Sequence, residues 1–545
     1  MQNNHKNKGS YFNISPAIIY CLFFGILTSC VNEKEKELKF ALEQAGGNRA
    51  ELEKVIDHYS KNREDSSKLE AALFLIRNMP YHSYQKGLKK FDTAFDSIAR
   101  VITDEYSYRK MLFESLLDSI VKISGSDNLK TVMDIESLDA EYFIENIDLA
   151  FEMWNKHPDT KKADFDTFLN YILPYRNNDE PLEPGTKKMF IDRYNWAIDS
   201  LLAGVPLKSV ADTIIKAFNF KYMSSIRTKY PVALSISHFE KSRVGICNDE
   251  VNYFVNLFRA LGISSYEEIV PLYGNSYSSG HSFFRLEYGE EVYCEGDLIN
   301  IYKEESIPKV YRRTYSKNKT VNGNICFYID VTPEYKTTIN ATIGIAFNYP
   351  SCRIHPVLCL FHSQDQWVRV AEGVQENNKF VFNEIGTNVL YIAAYYHNGQ
   401  FNAINYPFFV LPDRTIHYYK PEVEKLDSII ILRKAGLKQP RAAFSRKHWV
   451  DSLRYGIFQG ANDSSFKDAQ LLEGLTELNS THIQTISVSH NKPFRYIRFW
   501  ANNHTSFLSL LEFYDVNRKK LAGKIIKSNT MHFLNGRTVH LTMIR

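Results

Sequence analysis

Apolar residues recur at helical spacing over the first part of the chain, from about Glu35 to Leu202. Leu69, Ala72, Leu73 and Ile76 share one face, as do Leu116, Leu117, Ile120 and Val121. Gly46-Gly47-Asn48 and Met79-Pro80 punctuate the run. The pattern predicts a helical domain over residues 31–205. A further amphipathic run starts at Asp249, where Val251, Phe254, Val255, Leu257, Phe258 and Leu261 recur with helical period and Gly262 supplies a stop. The period then shortens. His281-Ser282-Phe283-Phe284-Arg285-Leu286-Glu287-Tyr288 reads as a strand, Gly289-Glu290-Glu291 as a turn, and Val292-Tyr293-Cys294 as the start of a return strand. From Ile325 to about Pro412, short alternating runs (Cys326 to Val331, Thr342 to Phe347, Trp367 to Ala371, Phe380 to Phe382, Val389 to Tyr396) are separated by Asn, Gly and Pro. Their spacing predicts an all-β, immunoglobulin-like sandwich over 319–415.

This pattern puts chemistry at one place. Cys247, in Gly245-Ile246-Cys247-Asn248-Asp249-Glu250, falls at or just before the first turn of the amphipathic helix. Free backbone N–H groups and the positive end of the helix dipole favour an anion there, so a lowered thiol pKa is expected. The same N–H groups could hold a tetrahedral oxyanion. His281 opens the following strand, and the hairpin returns Glu295-Gly296-Asp297 toward it. Either carboxylate could bond the far ring nitrogen of His281 and set its tautomer. Strand alternation puts both on one face and does not choose between them.

The ordered set resembles the transglutaminase-like superfamily, a papain-like α+β fold with a Cys-His-Asp triad. The resemblance covers roughly Arg227 to Asn300 and includes the phrase Arg259-Ala260-Leu261-Gly262-Ile263 at the helix end. It implies Cys247 as nucleophile, His281 as general base and acid, and Asp297 as orienting carboxylate, with Glu295 as the alternative. Phe283 stands where the family often has Trp, and the carboxylate strand reads Cys-Glu-Gly-Asp. The core is expected over 206–318. Upstream, Tyr171-Ile172-Leu173-Pro174-Tyr175-Arg176-Asn177-Asn178-Asp179-Glu180-Pro181 resembles a segment preceding this core in multidomain Bacteroidetes lipoproteins. Tyr175, Arg176 and Glu180 either line a substrate cleft or form a structural turn with an Arg–Glu pair.

The N-terminus carries Lys6 and Lys8, a short apolar run from Ile18 to Leu27, and Leu27-Thr28-Ser29-Cys30, which resembles a bacterial lipobox. That implies a signal peptide over 1–30, lipidation at Cys30, and an outer-membrane lipoprotein, periplasmic or surface-exposed. Asn32-Glu33-Lys34-Glu35-Lys36-Glu37 would be the tether. Of seven cysteines, Cys21 and Cys30 belong to the leader, leaving an odd five with Cys352 and Cys359 as a possible pair. No CxxC pair or HExxH motif calls for a metal, and no cofactor is expected. A net charge of +4 without a basic tract argues against nucleic acid.

The last segment, 420–545, resembles a discoidin (F5/8 type C, galactose-binding-like) jelly roll through Gly456-Ile457-Phe458-Gln459-Gly460-Ala461-Asn462-Asp463, Phe494-Arg495-Tyr496-Ile497-Arg498-Phe499 and Leu511-Glu512-Phe513-Tyr514-Asp515. Such a domain implies a glycan partner. Past Lys524 the expected strands do not continue, which predicts an incomplete domain. The chain is therefore read as a multidomain α+β protein. The expected activity is hydrolysis of peptide or glycopeptide amides; amine incorporation, or non-catalytic binding of glycan or protein, are the alternatives.

Overall fold

The computed structural model describes residues 33–86, 115–116, 118–119, 129–223, 226–230, 232–274, 280–347, 354–362, 366–377, 379–420, 456–474, 487–488, 492–500, 513–515, 517–521 and 542–544. Cys30, Cys352, and Leu117, Ile120 and Val121 of the expected helical face lie outside them. Among the described residues no helix is long and apolar enough to cross a membrane. The architecture is mixed α and β, with helices packed on antiparallel sheets and no closed barrel among the described strands. Two compact units result, Met1–Pro421 and Glu422–Arg545.

In the first unit, helices Arg49–Ser60, Ser66–Asn78, Ala140–Lys156 and Phe165–Tyr171 bury one apolar face each around Leu52, Leu75, Phe143, Ile147 and Phe168. Asp139 and Asp164 cap the last two by accepting the backbone N–H three residues on, at 2.9 Å in both cases. A second core surrounds the helix Cys247–Ala260, here the thiol helix. Helices Thr186–Arg193, Asn195–Leu202, Leu207–Phe218 and Ile236–Ser242 pack around it through Phe190, Ile198, Ile214 and Phe239. Residues 186–202 therefore share a core with the thiol helix, across the expected boundary at 205/206.

Under the thiol helix lies a five-stranded antiparallel sheet: β1 (Ser264–Val270), β2 (His281–Tyr288), β3 (Glu291–Cys294), β4 (Tyr311–Lys319) and β5 (Ile325–Asp330), in the order β3-β2-β1-β4-β5. Phe284 and Leu286 face the helix, whereas Phe283 joins Tyr302, Val310 and Tyr335 on the opposite face. The alternation of a half-buried strand thus produces two cores from one sequence run. The expected boundary at 318/319 falls within this sheet. The run Cys326 to Val331 contributes β5, which pairs with β4 from Tyr311↔Asp330 to Lys319↔Ile325, and does not belong to the sandwich.

The sandwich begins at β6 (Thr338–Gly344) and continues through β7 (Val357–His362), β8 (Gln366–Glu372), β9 (Val374–Glu376), β10 (Lys379–Gly386), β11 (Val389–His397), β12 (Gln400–Ala403), β13 (Phe408–Val410) and β14 (Ile416–Tyr418). One sheet runs β6-β10-β9. The other runs β8-β7-β11-β13-β14, with β12 also on β11. Phe380, Phe382, Leu358, Tyr391 and Phe408 interdigitate between them. Cys359 is buried with a free thiol. The second unit contributes a four-stranded antiparallel sheet, in spatial order Gln470–Gly474, Ile457–Ala461, Tyr496–Trp500 and Thr542–Ile544. Arg498 of that sheet donates to Gln459 at 2.8 Å and lies over the Phe466 ring.

The first helical core is pinned by one buried ion pair. Arg176, 1 % exposed, meets the fully buried Asp134 through Nε at 2.7 Å and Nη2 at 2.8 Å, and Tyr175 donates its hydroxyl to the same carboxylate at 3.0 Å. Burial pulls the Asp134 carboxyl up to about 6 against the opposite pull of the guanidinium. Removing one partner strands a buried charge. Asp134→Ala is expected to cost about 3–5 kcal/mol, read as a lowered urea midpoint, whereas Asp192→Ala, in an exposed pair with Lys188, leaves the midpoint in place.

Candidate active site

The chain entering the thiol helix is held on both sides. Lys221–Tyr222 pairs in parallel with Val244–Gly245, and Met223 donates its N–H to the Gly245 carbonyl at 2.7 Å. Asp249, buried in the first turn, accepts the N–H of Ile246 at 2.9 Å and of Leu234 at 3.1 Å, and pairs with Arg227. A Cβ on Gly245 would lie 2.7 Å from Asp249 Oδ2 and 2.9 Å from the Phe239 ring. The glycine is thus required by close approach of these two side chains.

Cys247 is the first helical residue and is half-buried. Its sulfhydryl faces Asn248 Oδ1 at 3.9 Å, and the backbone N–H groups of Ser282 and Asn248 act to lower its pKa. Burial pushes the thiol above its ordinary value of 9.0; the two N–H groups oppose this, and the carboxylates of Glu267 and Glu295 add to it. The expected lowering at the helix start is therefore overturned. Loss of hydration and two nearby carboxylates outweigh the dipole and the two N–H groups. Tyr222, 54 % exposed, lies within electrostatic reach of the same sulfur.

His281 begins β2 opposite Val270 and is half-buried, its ring stacked on Phe283 with centroids 5.9 Å apart. Gly280 precedes it because a Cβ there would come within 2.2 Å of the Val270 carbonyl oxygen. The strand start lies against the helix start, and the backbone N–H of Ser282 acts to lower the pKa of the thiol.

The two candidate carboxylates part company. The return strand ends at Cys294, and Gly296 and Asp297 take positive φ values of 59° and 56° as the chain turns into the helix Leu298–Glu304. Strand alternation stops there, so the two side chains do not share a face. Asp297 is exposed and accepts from Asn300 at 3.0 Å. Glu295 is half-buried and within electrostatic reach of Cys247.

Tyr175, Arg176 and Glu180 are buried, which corrects their placement along a substrate cleft. Their segment clasps the thiol helix. Arg259 donates to the Arg176 carbonyl at 2.7 Å and to that of Ser265 at 2.9 Å. Asn177 donates to Asn252 at 2.8 Å and Asn256 to Glu180 at 2.8 Å. Glu180 also accepts the N–H groups of Asn177 and Asn178 at 2.6 and 2.8 Å. Sequence reasoning passed over Asn248, Asn252 and Asn256, whose four-residue spacing marks a polar stripe on an otherwise apolar helix. It also passed over Glu267 and Tyr222. Among the described residues no group of three or more His, Cys, Asp or Glu gathers as for a metal.

Comparison with protein families, with curated proteins and with solved structures finds no match for this chain.

The four free thiols described differ in reactivity. Burial pushes Cys294 and Cys359 each to about 12, and Cys326 is buried. Iodoacetamide is expected to modify Cys247 first, with a rate that keeps rising above pH 9.0, the ordinary thiol value. Glu295→Gln removes a charge that opposes the thiolate, so its rate profile should shift to lower pH. Peptide mapping by mass spectrometry across a pH series reads both outcomes.

Proposed function

We propose that this chain is an exported, lipid-anchored thiol enzyme of transglutaminase-like architecture that hydrolyses peptide or glycopeptide amide bonds. Cys247 Sγ attacks the amide carbonyl carbon, and His281 takes the thiol proton and passes it to the leaving nitrogen as the C–N bond breaks. Water then attacks the thioester, with His281 accepting its proton, and releases the acid and the free thiol. In this reading Glu295, rather than Asp297, orients the imidazole. The observation that carries the proposal is the packing of the thiol helix on the His281 strand, which leaves the backbone N–H groups of Ser282 and Asn248 favouring the thiolate of Cys247. Peptide N–H groups fixed beside the sulfur are what an acyl-transfer site needs to hold a developing oxyanion. A raised thiol pKa suits a nucleophile that is deprotonated only as it attacks, by an adjacent base.

The flanking modules fit the same reading: an immunoglobulin-like sandwich and a discoidin-like C-terminal segment would hold a polymeric substrate at the cell envelope. One observation favours a second reading, a non-catalytic glycan-binding lipoprotein. On the outer face of the larger sandwich sheet, Phe361, Trp367, Phe401 and Tyr396 form a ribbon with successive centroids 5.3, 6.2 and 6.0 Å apart. Phe361 and Tyr396 are 52 % and 49 % exposed, and contiguous exposed aromatic surface marks a binding face.

A panel of peptides, glycopeptides and amine acceptors separates the readings. Wild type should release amine from an amide substrate, Cys247→Ala should release none, and His281→Gln should lower kcat by about 10²-fold or more. Asp297→Asn should leave kcat intact, and Glu295→Gln should lower it. Equal turnover by wild type and Cys247→Ala sinks the proposal. Amine incorporation in place of hydrolysis makes the enzyme a cross-linking transglutaminase. No turnover, with polysaccharide binding lost in Trp367→Ala, supports the second reading.

A further inference from the structure

We propose that the buried Glu267–Arg313 pair, joined to the thiol helix through Asn177 and Asn252, is a positioning element that sets how readily Cys247 gives up its proton. The inference rests on the reading of Cys247 as the reacting thiol. Glu267 projects from β1 toward the thiol helix and is fully buried. Its Oε2 accepts from Arg313 Nε on the neighbouring strand at 2.5 Å and from Asn177 Nδ2 at 3.4 Å. The same Asn177 amide donates to Asn252 Oδ1 at 2.8 Å. Asn252 lies one turn beyond Asn248, whose side-chain oxygen faces the sulfhydryl. Hydrogen bonds thus link a buried ion pair in the sheet to Asn252, one turn along the thiol helix from Asn248.

Two features set this path apart from an ordinary staple. Glu267 Oε1, Asn252 Nδ2 and Asn177 Oδ1 are buried with no hydrogen-bond partner among the described residues. Each such atom costs stability, and apolar side chains of the same size would hold the helix to the sheet without that cost. What they could not supply is a fixed charge that acts on the thiol. Glu267 is one of the two carboxylates felt by the thiol. The charged and titratable groups that act on the sulfur are Glu267 from the sheet, paired with Arg313, Glu295 beyond β3, and Tyr222; His281 opens β2 and Asp249 lies on the helix itself. Of these, the Glu267–Arg313 pair is the one joined to the helix through Asn177 and Asn252.

The pair makes opposite demands of its two members. Neutralising Glu267 leaves the Arg313 cation uncompensated and favours the thiolate. Neutralising Arg313 leaves the Glu267 anion uncompensated and disfavours it. The experiment is the rate of iodoacetamide modification of Cys247 against pH, in the full chain, for wild type, Glu267→Gln and Arg313→Gln. Glu267→Gln should move the profile down by about one pH unit and Arg313→Gln should move it up by a similar amount, as expected when a charge that acts on the thiol, or its counter-charge, is removed. Glu267→Asp should keep the wild-type profile. Either neutral variant sitting on the wild-type curve overturns the proposal, and so does movement of both in one direction, which is what loosened packing would produce. If Glu267→Gln fails to fold, the direction of Arg313→Gln still decides. The readout is chemical modification, so a wild-type protein inert toward every amide would overturn the proposed function while these profiles still judge the positioning element.

Discussion

Three side-chain contacts clamp the segment 174–180 to the thiol helix: the Arg259 guanidinium on the Arg176 carbonyl, Asn177 on Asn252, and Asn256 on Glu180. The placement of Cys247 depends on them. A helix on a sheet through apolar side chains alone can slide, because the hydrophobic effect has no direction. Directed hydrogen bonds to a buried loop remove that freedom. The loop is itself fixed from below by the Arg176–Asp134 pair, so the first helical core and the thiol site form one mechanical object. Asp134, distant from Cys247 in the chain, therefore bears on where the sulfur sits.

The thiol is the place where two general tendencies compete, and their magnitudes decide it. A helix N-terminus offers an anion roughly half a unit of positive charge that falls off within a turn. Removal from water acts on the full charge of a thiolate, and Glu267 and Glu295 act in the same direction. The sum favours the protonated thiol even with the Ser282 and Asn248 N–H groups acting the other way. Position in a helix predicts the local field but not the burial that opposes it, and burial is a property of how the neighbouring strands pack.

Much of the arrangement is legible in the sequence where local physics governs it. The apolar spacing from Val251 to Leu261 marks the thiol helix, and Gly262, at φ 76°, stops it. The two-residue turn Gly289–Glu290 sets the β2–β3 register from Tyr288↔Glu291 onward. Gly245 and Gly280 stand out in the motif, and each proves to be a point of close approach. Other features depend on distant partners and are not legible. Ile325–Asp330 alternates just as the sandwich strands do, and only its pairing with Tyr311–Lys319 assigns it to the sheet under the thiol helix. Tyr175, Arg176 and Glu180 have the composition of a binding loop. Their burial follows from an aspartate more than 40 residues upstream and a helix about 75 residues downstream.

The carboxylate next to the histidine strand shows how a sound local rule can end one residue too soon. Alternation along a strand puts residues two apart on one face, which treats Glu295 and Asp297 as equivalent. That equivalence needs extended backbone through both. At Gly296 and Asp297 the backbone is left-handed, a conformation that glycine adopts freely and aspartate tolerates better than most residues. The turn sends Asp297 outward to Asn300 and leaves Glu295, the last residue before it, on the side of the thiol. The Gly-Asp dipeptide therefore acts as a terminator of the strand. Read for its backbone preference instead of its charge, it marks the point where Glu295 and Asp297 cease to share a face.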